Sequence, residues 1–332
     1  MSLEKVAKQA RVSTATVSRV LNDVGPVRPA TRARVLKAVE ELKYQPNLHA
    51  RNLAGGKSQT FGMIVSNLEN PFFFDVFKAA EEKARQKRYE IVLANTDYDA
   101  EHLVRNIRLM LGRRVAGLCL VISEMDPTLI NELADTAVPI VVYDVGMPKH
   151  NISNISVNYG KGIERVVHYL HDLGHQRMAF VSHHPSLGPL GIRERVFRET
   201  VAEFEPKIEW KIVASTDGIE GGRQATREIL ASGLNPTCIV CVNDFMALGV
   251  LHELREAGLR VPQDISVTGF DNIKLAEVAY PSLTTLHIPR QRIGQTMIQV
   301  LTGAEAAPES CGRKIMIDPE FVVRASTGAA PA

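Results

Sequence analysis

The chain opens with the stretch Leu3-Glu-Lys-Val-Ala-Lys-Gln-Ala-Arg-Val-Ser-Thr-Ala-Thr-Val-Ser-Arg-Val-Leu-Asn22, which predicts two short helices joined by a tight turn. The apolar residues of both helices recur at helical spacing, so that the helices can bury one shared face. These residues are Leu3, Val6, Ala7, Ala10, Val17, Val20 and Leu21. Ser13 is expected to cap the second helix, because its hydroxyl can accept an unpaired backbone N–H near Thr16.

A third helix is predicted to start at Pro29, and it would complete a minimal three-helix core. Its expected core residues are Ala33, Leu36, Val39 and Leu42, with Val35 beside them.

The first turn of the second helix carries short polar side chains, and an arginine follows one turn later. Hydroxyl and guanidinium donors of this kind suit phosphates and base edges. The donors are Thr14, Thr16, Ser18 and Arg19, and the small apolar Ala15 lies among them. Taken alone, the pattern also fits a small surface helix pair that binds nothing.

The charge of the chain is divided unevenly. Residues 1–57 hold eleven Lys and Arg against four Asp and Glu, a net charge of +7, whereas the rest holds 28 basic and 33 acidic residues, a net charge of −5. A basic end on an acidic body is expected where that end meets phosphate. Together with the helix-turn-helix pattern, this asymmetry indicates binding to DNA.

Several motifs make the chain similar to the lac-repressor/galactose-repressor (LacI/GalR) family of bacterial transcription regulators. The motifs run over some 320 of the 332 residues and include Val12-Ser-Thr-Ala-Thr-Val-Ser-Arg-Val-Leu-Asn22, Tyr44-Gln-Pro-Asn47, Leu53-Ala-Gly55, Leu173-Gly-His175, Asn243-Asp-Phe-Met-Ala-Leu-Gly249, Val261-Pro-Gln-Asp-Ile-Ser-Val-Thr-Gly-Phe-Asp271, Pro281-Ser-Leu-Thr-Thr285 and Val323-Arg-Ala-Ser-Thr327. The resemblance implies a homodimer that binds a palindromic double-stranded operator. It adds Ser13 and Asn22 to the expected DNA contacts.

The segment 47–57 is expected to be a conditional hinge. Asn47 can cap a helix that Gly55 ends, and about seven residues are too few to form a stable helix alone in water. The resemblance implies that this helix folds over DNA, that Asn47 and Arg51 contact DNA, and that Leu53 enters the minor groove. A flexible linker with one incidental leucine is the alternative expected away from DNA.

The body alternates short apolar runs with amphipathic stretches, which predicts an α/β fold with parallel sheets covered by helices. Among these runs, Phe61-Gly-Met-Ile-Val65 and Gly117-Leu-Cys-Leu-Val121 are predicted to be buried strands. The pattern restarts near Gly160, so two similar lobes with a cleft between them are expected. The resemblance implies a body like that of periplasmic binding proteins. The predicted divisions are a helix-turn-helix domain (1–46), the hinge (47–57) and the body (58–332), with lobe one at about 58–156 and 287–318 and lobe two at about 157–286 and 319–332.

Composition excludes several other classes. The chain contains no run of eighteen apolar residues and no signal sequence, so a cytoplasmic protein without a membrane span is expected. Cys238 and Cys241 have the spacing of a metal or redox pair, but they lie in an apolar run without a second pair, so packing in the core is expected. No cofactor, metal or enzymatic activity is predicted, because no P-loop or nucleophile elbow is found.

The effector site is taken from the resemblance, residue by residue, and is expected to suit a polyhydroxylated ligand. The residues are Asn70, Phe72, Phe73, Asp144, Arg193, Asn243, Asp271 and Arg290. Three departures from the family pattern, at Val145, Asp217 and Arg290, leave the effector open. A neutral or acidic sugar is the first expectation and a nucleobase or phosphorylated metabolite the second. A binding protein or enzyme that the head merely tethers to nucleic acid is the alternative from another class.

Overall fold

The computed structural model divides the chain into two compact units, Met1–Ser58 and Gln59–Ala332. The residues that it describes are 2–21, 25–44, 58–125, 127–146, 148–183, 188–306 and 312–331. The domain and lobe boundaries predicted from the sequence remain a proposal, which limited proteolysis would test.

The first unit contains three helices, α1 (Leu3–Ala10), α2 (Thr14–Leu21) and α3 (Pro29–Glu41). They bury a small shared core of Val6, Ala7, Ala10, Val17, Val20, Val35 and Ala38. The predicted cap is confirmed, because the Ser13 hydroxyl accepts the Thr16 backbone N–H at 3.2 Å. The helix-turn-helix pattern therefore has the local structure that its spacing predicts.

The predicted core face of α3 is partly wrong. Val35 and Ala38 are buried and Val39 and Leu42 are partly buried, whereas Ala33 and Leu36 are exposed. Each step of three residues drifts about 60° around a helix of 3.6 residues per turn, so Ala33 and Leu42 lie on opposite faces. The steps of three and four residues from Val35 through Ala38 and Val39 to Leu42 keep to one face, and that face is the one that packs.

The larger sheet of the body has six strands, all paired in parallel, in the order β11-β5-β4-β3-β1-β2. These strands are β1 (Thr60–Val65), β2 (Glu90–Asn95), β3 (Gly117–Val121), β4 (Ile140–Tyr143), β5 (Ile152–Val157) and β11 (Lys314–Ile317). The helices of this lobe are α4 (Pro71–Gln86), α5 (Ala100–Gly112), α6 (Pro127–Ala134) and α12 (Arg290–Ala306). Helix α12 packs against α4, although the two are far apart in sequence.

The second sheet has four parallel strands in the order β7-β6-β8-β9. The strands are β6 (Arg177–His183), β7 (Glu209–Ser215), β8 (Cys238–Cys241) and β9 (Ser266–Thr268). Its helices are α7 (Tyr159–Asp172), α8 (Gly188–Val201), α9 (Ile219–Ala231), α10 (Asp244–Glu256) and α11 (Lys274–Val278). The strands β10 (Thr285–His287) and β12 (Glu320–Val322) form a separate antiparallel pair.

The chain passes between the two sheets after β5, between β10 and α12, and between β11 and β12. Three connections of this kind leave the carboxyl ends of both sheets beside one cleft, which is where open α/β sheets bind ligands. The sequence therefore predicts the α/β fold class and the parallel sheets correctly.

The cysteines pack as the sequence predicts. Cys119, Cys238 and Cys241 are buried free thiols, and burial raises the pKa of Cys119 to about 12. Among the described residues, no group of three or more His, Cys, Asp or Glu side chains could hold a metal ion. None of the helices in the described part of the chain is long and apolar enough to cross a membrane.

Candidate functional site

The residues predicted to read DNA on α2 are accessible. Ser13, Thr14, Ala15 and Arg19 are exposed, and Thr16 and Ser18 are half-buried. Below them, Val17 and Val20 anchor the helix in the core of the unit. The other predicted DNA contacts, Asn22, Asn47, Arg51 and Leu53, lie outside the described residues and stay predictions.

The body contains a cleft lined from both lobes. The first lobe contributes residues that follow β1, β2 and β3 or end β4, namely Asn70, Phe72, Phe73, Tyr98, Ile122, Ser123 and Tyr143. The second contributes residues from the start of α7, from α8 and from the segments after β8 and β9, namely Tyr159, Arg193, Asn243 and Asp271. Six of the eight predicted effector residues are thus brought to one place.

Two asparagines occupy equivalent positions in the two lobes, each as the cap of a helix that follows a strand. The Oδ1 atom of Asn70 accepts the Phe72 N–H at 3.1 Å, and that of Asn243 accepts the Met246 N–H at 2.8 Å. Capping fixes both side chains, and both amide nitrogens donate to Asp217, that of Asn70 at 3.4 Å and that of Asn243 at 2.8 Å. The side-chain amides are therefore oriented donors.

Aromatic rings form much of the wall of the cleft. The rings of Phe72 and Phe73 meet edge to face at 5.4 Å between centroids, and Phe72 lies 5.6 Å from Tyr143. On the opposite side, Tyr159 lies 5.4 Å from Phe270. Such walls suit the apolar face of a sugar ring or a planar base.

Arg193 is buried, and three contacts hold its guanidinium group in place. Its guanidinium carbon lies 4.3 Å from the ring centre of Tyr159 and 4.2 Å from that of Phe270, and Nη1 donates to the Val242 carbonyl at 2.6 Å. Among the described residues, none accepts a hydrogen bond from its Nε. This buried donor is thus available to an acceptor in the cleft.

Asp271 is the acceptor on the same side of the cleft. It is buried, and burial raises the pKa of its carboxyl to about 7, against the opposing effect of Arg193 and Arg290. Its backbone φ of 114° is costly for a residue with a side chain, and such strain concentrates at functional sites. The loop is fixed by the Asp271 N–H, which donates to the Leu286 carbonyl at 2.8 Å.

Asp144 and Arg290, both predicted to bind effector, do not line the cleft. The Asp144 carboxylate accepts the Val157 N–H at 2.7 Å and the Tyr159 hydroxyl, and burial raises its pKa to about 7. Arg290 donates to Asp75 of α4 at 3.1 Å and to the backbone carbonyls of Asp271 and Asn272. Both side chains support neighbouring cleft residues, and direct contact with an effector stays a prediction for them.

The sequence also missed several residues of the cleft. Tyr98 and Ser123 follow β2 and β3, and Tyr143 ends β4, so the rule that ligands bind at the carboxyl ends of parallel strands could have found them. Asp217, noted only as a departure from the family pattern, hydrogen-bonds residues of both lobes. Its role was not visible, because its partners Asn67 and Tyr98 are more than a hundred residues away in sequence.

Comparisons with known proteins agree with this architecture. Residues 2–47 match the family described as bacterial regulatory proteins, lacI family, and residues 167–327 match a periplasmic binding protein-like domain. The chain is 33% identical over 327 residues to the HTH-type transcriptional repressor PurR of Photobacterium profundum, covering 98% of both proteins.

Solved structures extend the match. The lac repressor dimer bound to operator and the anti-inducer ONPF has a TM-score of 0.87 at 29% identity, over 99% of both chains. A LacI family regulator from Enterococcus faecium with bound ribose has a TM-score of 0.72 at 27% identity, over 81% of this chain and 99% of that one. Because the relatives are repressors, the enzymatic alternative is set aside. The chain therefore belongs to the lacI family of bacterial regulatory proteins and is a DNA-binding transcription repressor that responds to a small-molecule effector.

Proposed function

We propose that the protein binds a palindromic operator as a homodimer in the cytoplasm, and that a small carbohydrate in the cleft changes its operator affinity. The observation that carries the effector class is that the buried Asp271 carboxyl and the buried Nε of Arg193, which has no acceptor among the described residues, belong to one cleft with aromatic walls. A sugar hydroxyl is both donor and acceptor, so neighbouring hydroxyls satisfy the carboxylate and the guanidinium together. The E. faecium relative holds ribose, which supports the same class.

Exposed apolar surfaces on both lobes support the dimer. Around α11, Tyr280 is 92% exposed and Val278 is 75% exposed, and on α5 Leu109 is 50% exposed. Clustered apolar residues of this kind are typical of protein interfaces. The similar lac repressor structure is that of a dimer on operator.

We also propose the DNA contacts by position. The exposed residues Thr14, Ala15 and Arg19 set sequence preference, while the hinge residues Asn47, Arg51 and Leu53 add contacts when two subunits meet over the operator. An effector that joins the lobes changes their relative orientation and so the folding of the hinge.

A nucleobase is the second candidate. The aromatic walls suit a planar ring, and an adjacent ring N–H and carbonyl can pair with Asp271 and Arg193 as two hydroxyls do.

The test is a gel shift on the DNA upstream of the gene for this protein, with and without neutral sugars, sugar acids and nucleobases. A neutral sugar should change operator affinity, and Asp271→Asn should lose that response while its binding to operator without effector survives. If nucleobases change the operator affinity and sugars do not, the effector is a nucleobase and not a carbohydrate. Loss of operator binding in Asp271→Asn would show that the cleft does not act as a separate effector site.

A further inference from the structure

The Asp217 carboxylate accepts hydrogen bonds from both lobes. Asp217 lies between β7 and α9 of the second lobe, and its Oδ2 atom accepts hydrogen bonds from three first-lobe side chains, Asn67 at 3.0 Å, Asn70 at 3.4 Å and Tyr98 at 2.8 Å. Its Oδ1 atom accepts from Asn243 of its own lobe at 2.8 Å. We call these five residues the Asp217 clasp.

The turn that carries Tyr98 is held in the conformation in which Tyr98 contacts Asp217. Asp97 and Tyr98 have φ values of 54° and 60°, a left-handed conformation that is costly for a bulky side chain. Hydrogen bonds hold the turn, from the Asn95 amide to the Asp97 carboxylate and from the Tyr98 N–H to the Ser66 carbonyl at 3.3 Å. On its other side, the Tyr98 ring packs 4.4 Å from the ring of His183 in the second lobe.

Asp217 is not one of the residues that line the cleft, although it contacts three of them. Asn70, Tyr98 and Asn243 line the cleft, whereas Asp217 does not. Asn70 and Asn243 are 2% and 5% exposed, while Asp217 is only half-buried. The Asp217 carboxylate is therefore hydrogen-bonded to three polar side chains that an effector in the cleft would meet.

Besides Asp217, two other carboxyl groups disfavour a further negative charge in the cleft. Burial and Asp217 both raise the pKa of Asp271, which reaches about 7. A third carboxylate, Glu124, is buried behind the cleft and accepts hydrogen bonds from Ser66 and from the backbone N–H of Ser123. Among the described residues that line the cleft, Arg193 is the one that carries a fixed positive charge.

We propose that Asp217 is a specificity-determining residue that restricts the effector to uncharged or amine-bearing molecules and rejects their carboxylated and phosphorylated counterparts. The proposal rests on the function proposed above. A ligand anion would lie beside the Asp217 and Asp271 carboxylates, and juxtaposed like charges weaken binding. An uncharged hydroxyl or an ammonium group would instead donate to them.

The experiment compares the unmodified protein with Asp217→Asn, which removes the charge and keeps a carbonyl oxygen in place. Glu220→Gln is the matched control, because it removes one negative charge from an exposed side chain three residues further along. Each protein is titrated by calorimetry with glucose, glucosamine and glucuronate, and with adenine and AMP.

The unmodified protein should bind an uncharged or amine-bearing probe at least about tenfold more tightly than its anionic counterpart, because like charges repel. Asp217→Asn should lower this ratio of affinities to about threefold or less, because it removes one of the repelling charges. Glu220→Gln should leave the ratio unchanged. Equal binding of acid and uncharged probe by the unmodified protein, or equal narrowing by both variants, would overturn the proposal.

Failure of the carbohydrate proposal can be recognised separately. Discrimination between adenine and AMP without sugar binding would refute the carbohydrate effector and support the role of Asp217.

Hydrogen exchange of the full chain without ligand tests the Asp217 clasp itself. Asp217→Asn and Tyr98→Phe should speed exchange in both segments 96–99 and 216–219, and unchanged exchange would overturn the proposal whatever ligand binds.

Discussion

The two candidate sites of this chain are built in opposite ways. On α2, Thr14, Ala15 and Arg19 are exposed above a small apolar core. In the body, Arg193 and Asp271 are only 6% and 4% exposed. An exposed contact residue can change without disturbing the fold, whereas a buried polar group supports the packing around it. The difference predicts that substitutions on the head alter binding alone, and that substitutions in the cleft alter binding and stability together.

The largest effect is expected at Arg193. Arg193→Met keeps much of the side-chain volume, but it leaves the Val242 carbonyl without its donor and removes a cation that lowers the pKa of the buried Asp271 carboxyl. An unsatisfied buried polar group costs about 1–3 kcal/mol. The substitution also removes a charge-assisted hydrogen bond to the effector, worth about 1.5–3 kcal/mol. Urea denaturation should therefore show a lower free energy of unfolding, and calorimetry a weaker effector affinity.

The double variant Arg193→Met/Asp271→Asn separates the two effects. It removes both charges but leaves the Val242 carbonyl unsatisfied, so it should recover part of the lost stability without recovering effector binding. Unchanged stability in the single variant would show that the cleft behaves like the exposed head site and would break the comparison.

The next effect is expected on the head. Arg19→Ala should weaken operator binding by about 1–3 kcal/mol, because it removes a donor to bases or phosphates. Stability should change by no more than about 0.5 kcal/mol, as for other exposed positions. Gel shifts on operator and random DNA, together with denaturation curves, measure both quantities.

Exchange of Thr14 and Ala15 tests base reading on the same helix. The exchanged protein should rank a set of operator variants differently. An unchanged ranking would mean that these two exposed residues do not contact bases.

Strands with uninterrupted apolar sequence could be predicted from the sequence, and strands with mixed sequence could not. Phe61-Gly-Met-Ile-Val65 and Gly117-Leu-Cys-Leu-Val121 are buried along their length, and their predicted bounds match β1 and β3 within one residue. The strand β5, Ile152-Ser-Asn-Ile-Ser-Val157, was missed because it contains buried polar residues. Asn154 is stabilised there by donating to the Gly146 carbonyl at 2.7 Å, a contact made only in the fold.

The site was predictable to a similar extent. Asn70 and Asn243 were predicted from the family resemblance, and both are found where a helix follows a strand. Arg290 was predicted to bind the effector, but its hydrogen bond to Asp75 could not be predicted, because Asp75 lies 215 residues away in sequence. A contact over that distance depends on how α12 packs against α4, which the pattern of either helix does not define.

A smaller effect is expected from pH at Asp144, whose carboxyl faces Tyr159, Tyr143 and Arg193. Burial raises its pKa from 3.8 to about 7, so the folded state binds this proton more tightly than the unfolded state does. The resulting stabilisation is fully present below about pH 3.8 and is lost as the pH rises through about 7. Between pH 8 and pH 6, Asp144 should add about 1.4 kcal/mol to the free energy of unfolding.

Asp144→Asn should reduce that dependence, as measured by urea denaturation across the same pH range, and the slope that remains comes in part from Asp271, whose pKa burial also raises to about 7. Asp264→Asn is the control, because Arg260 holds the pKa of Asp264 down at about 2 and its charge does not change between pH 6 and pH 8. An identical slope in Asp144→Asn and the unmodified protein would show that burial does not raise this pKa.

The smallest effect is expected at Ser13. This residue is an exception to the comparison of head and cleft, because it is exposed and yet has a structural role. Its hydroxyl accepts the Thr16 N–H, and loss of such a cap costs about 1 kcal/mol, or about a fivefold change in local opening. Hydrogen exchange over residues 14–21 of the full chain should therefore speed up about fivefold in Ser13→Ala and much less in Ser13→Gly. Because a frayed α2 presents all its contacts poorly, Ser13→Ala should weaken binding to every operator variant alike, whereas exchange of Thr14 and Ala15 reorders them. A reordered ranking with unchanged exchange would make Ser13 a base contact, like its exposed neighbours.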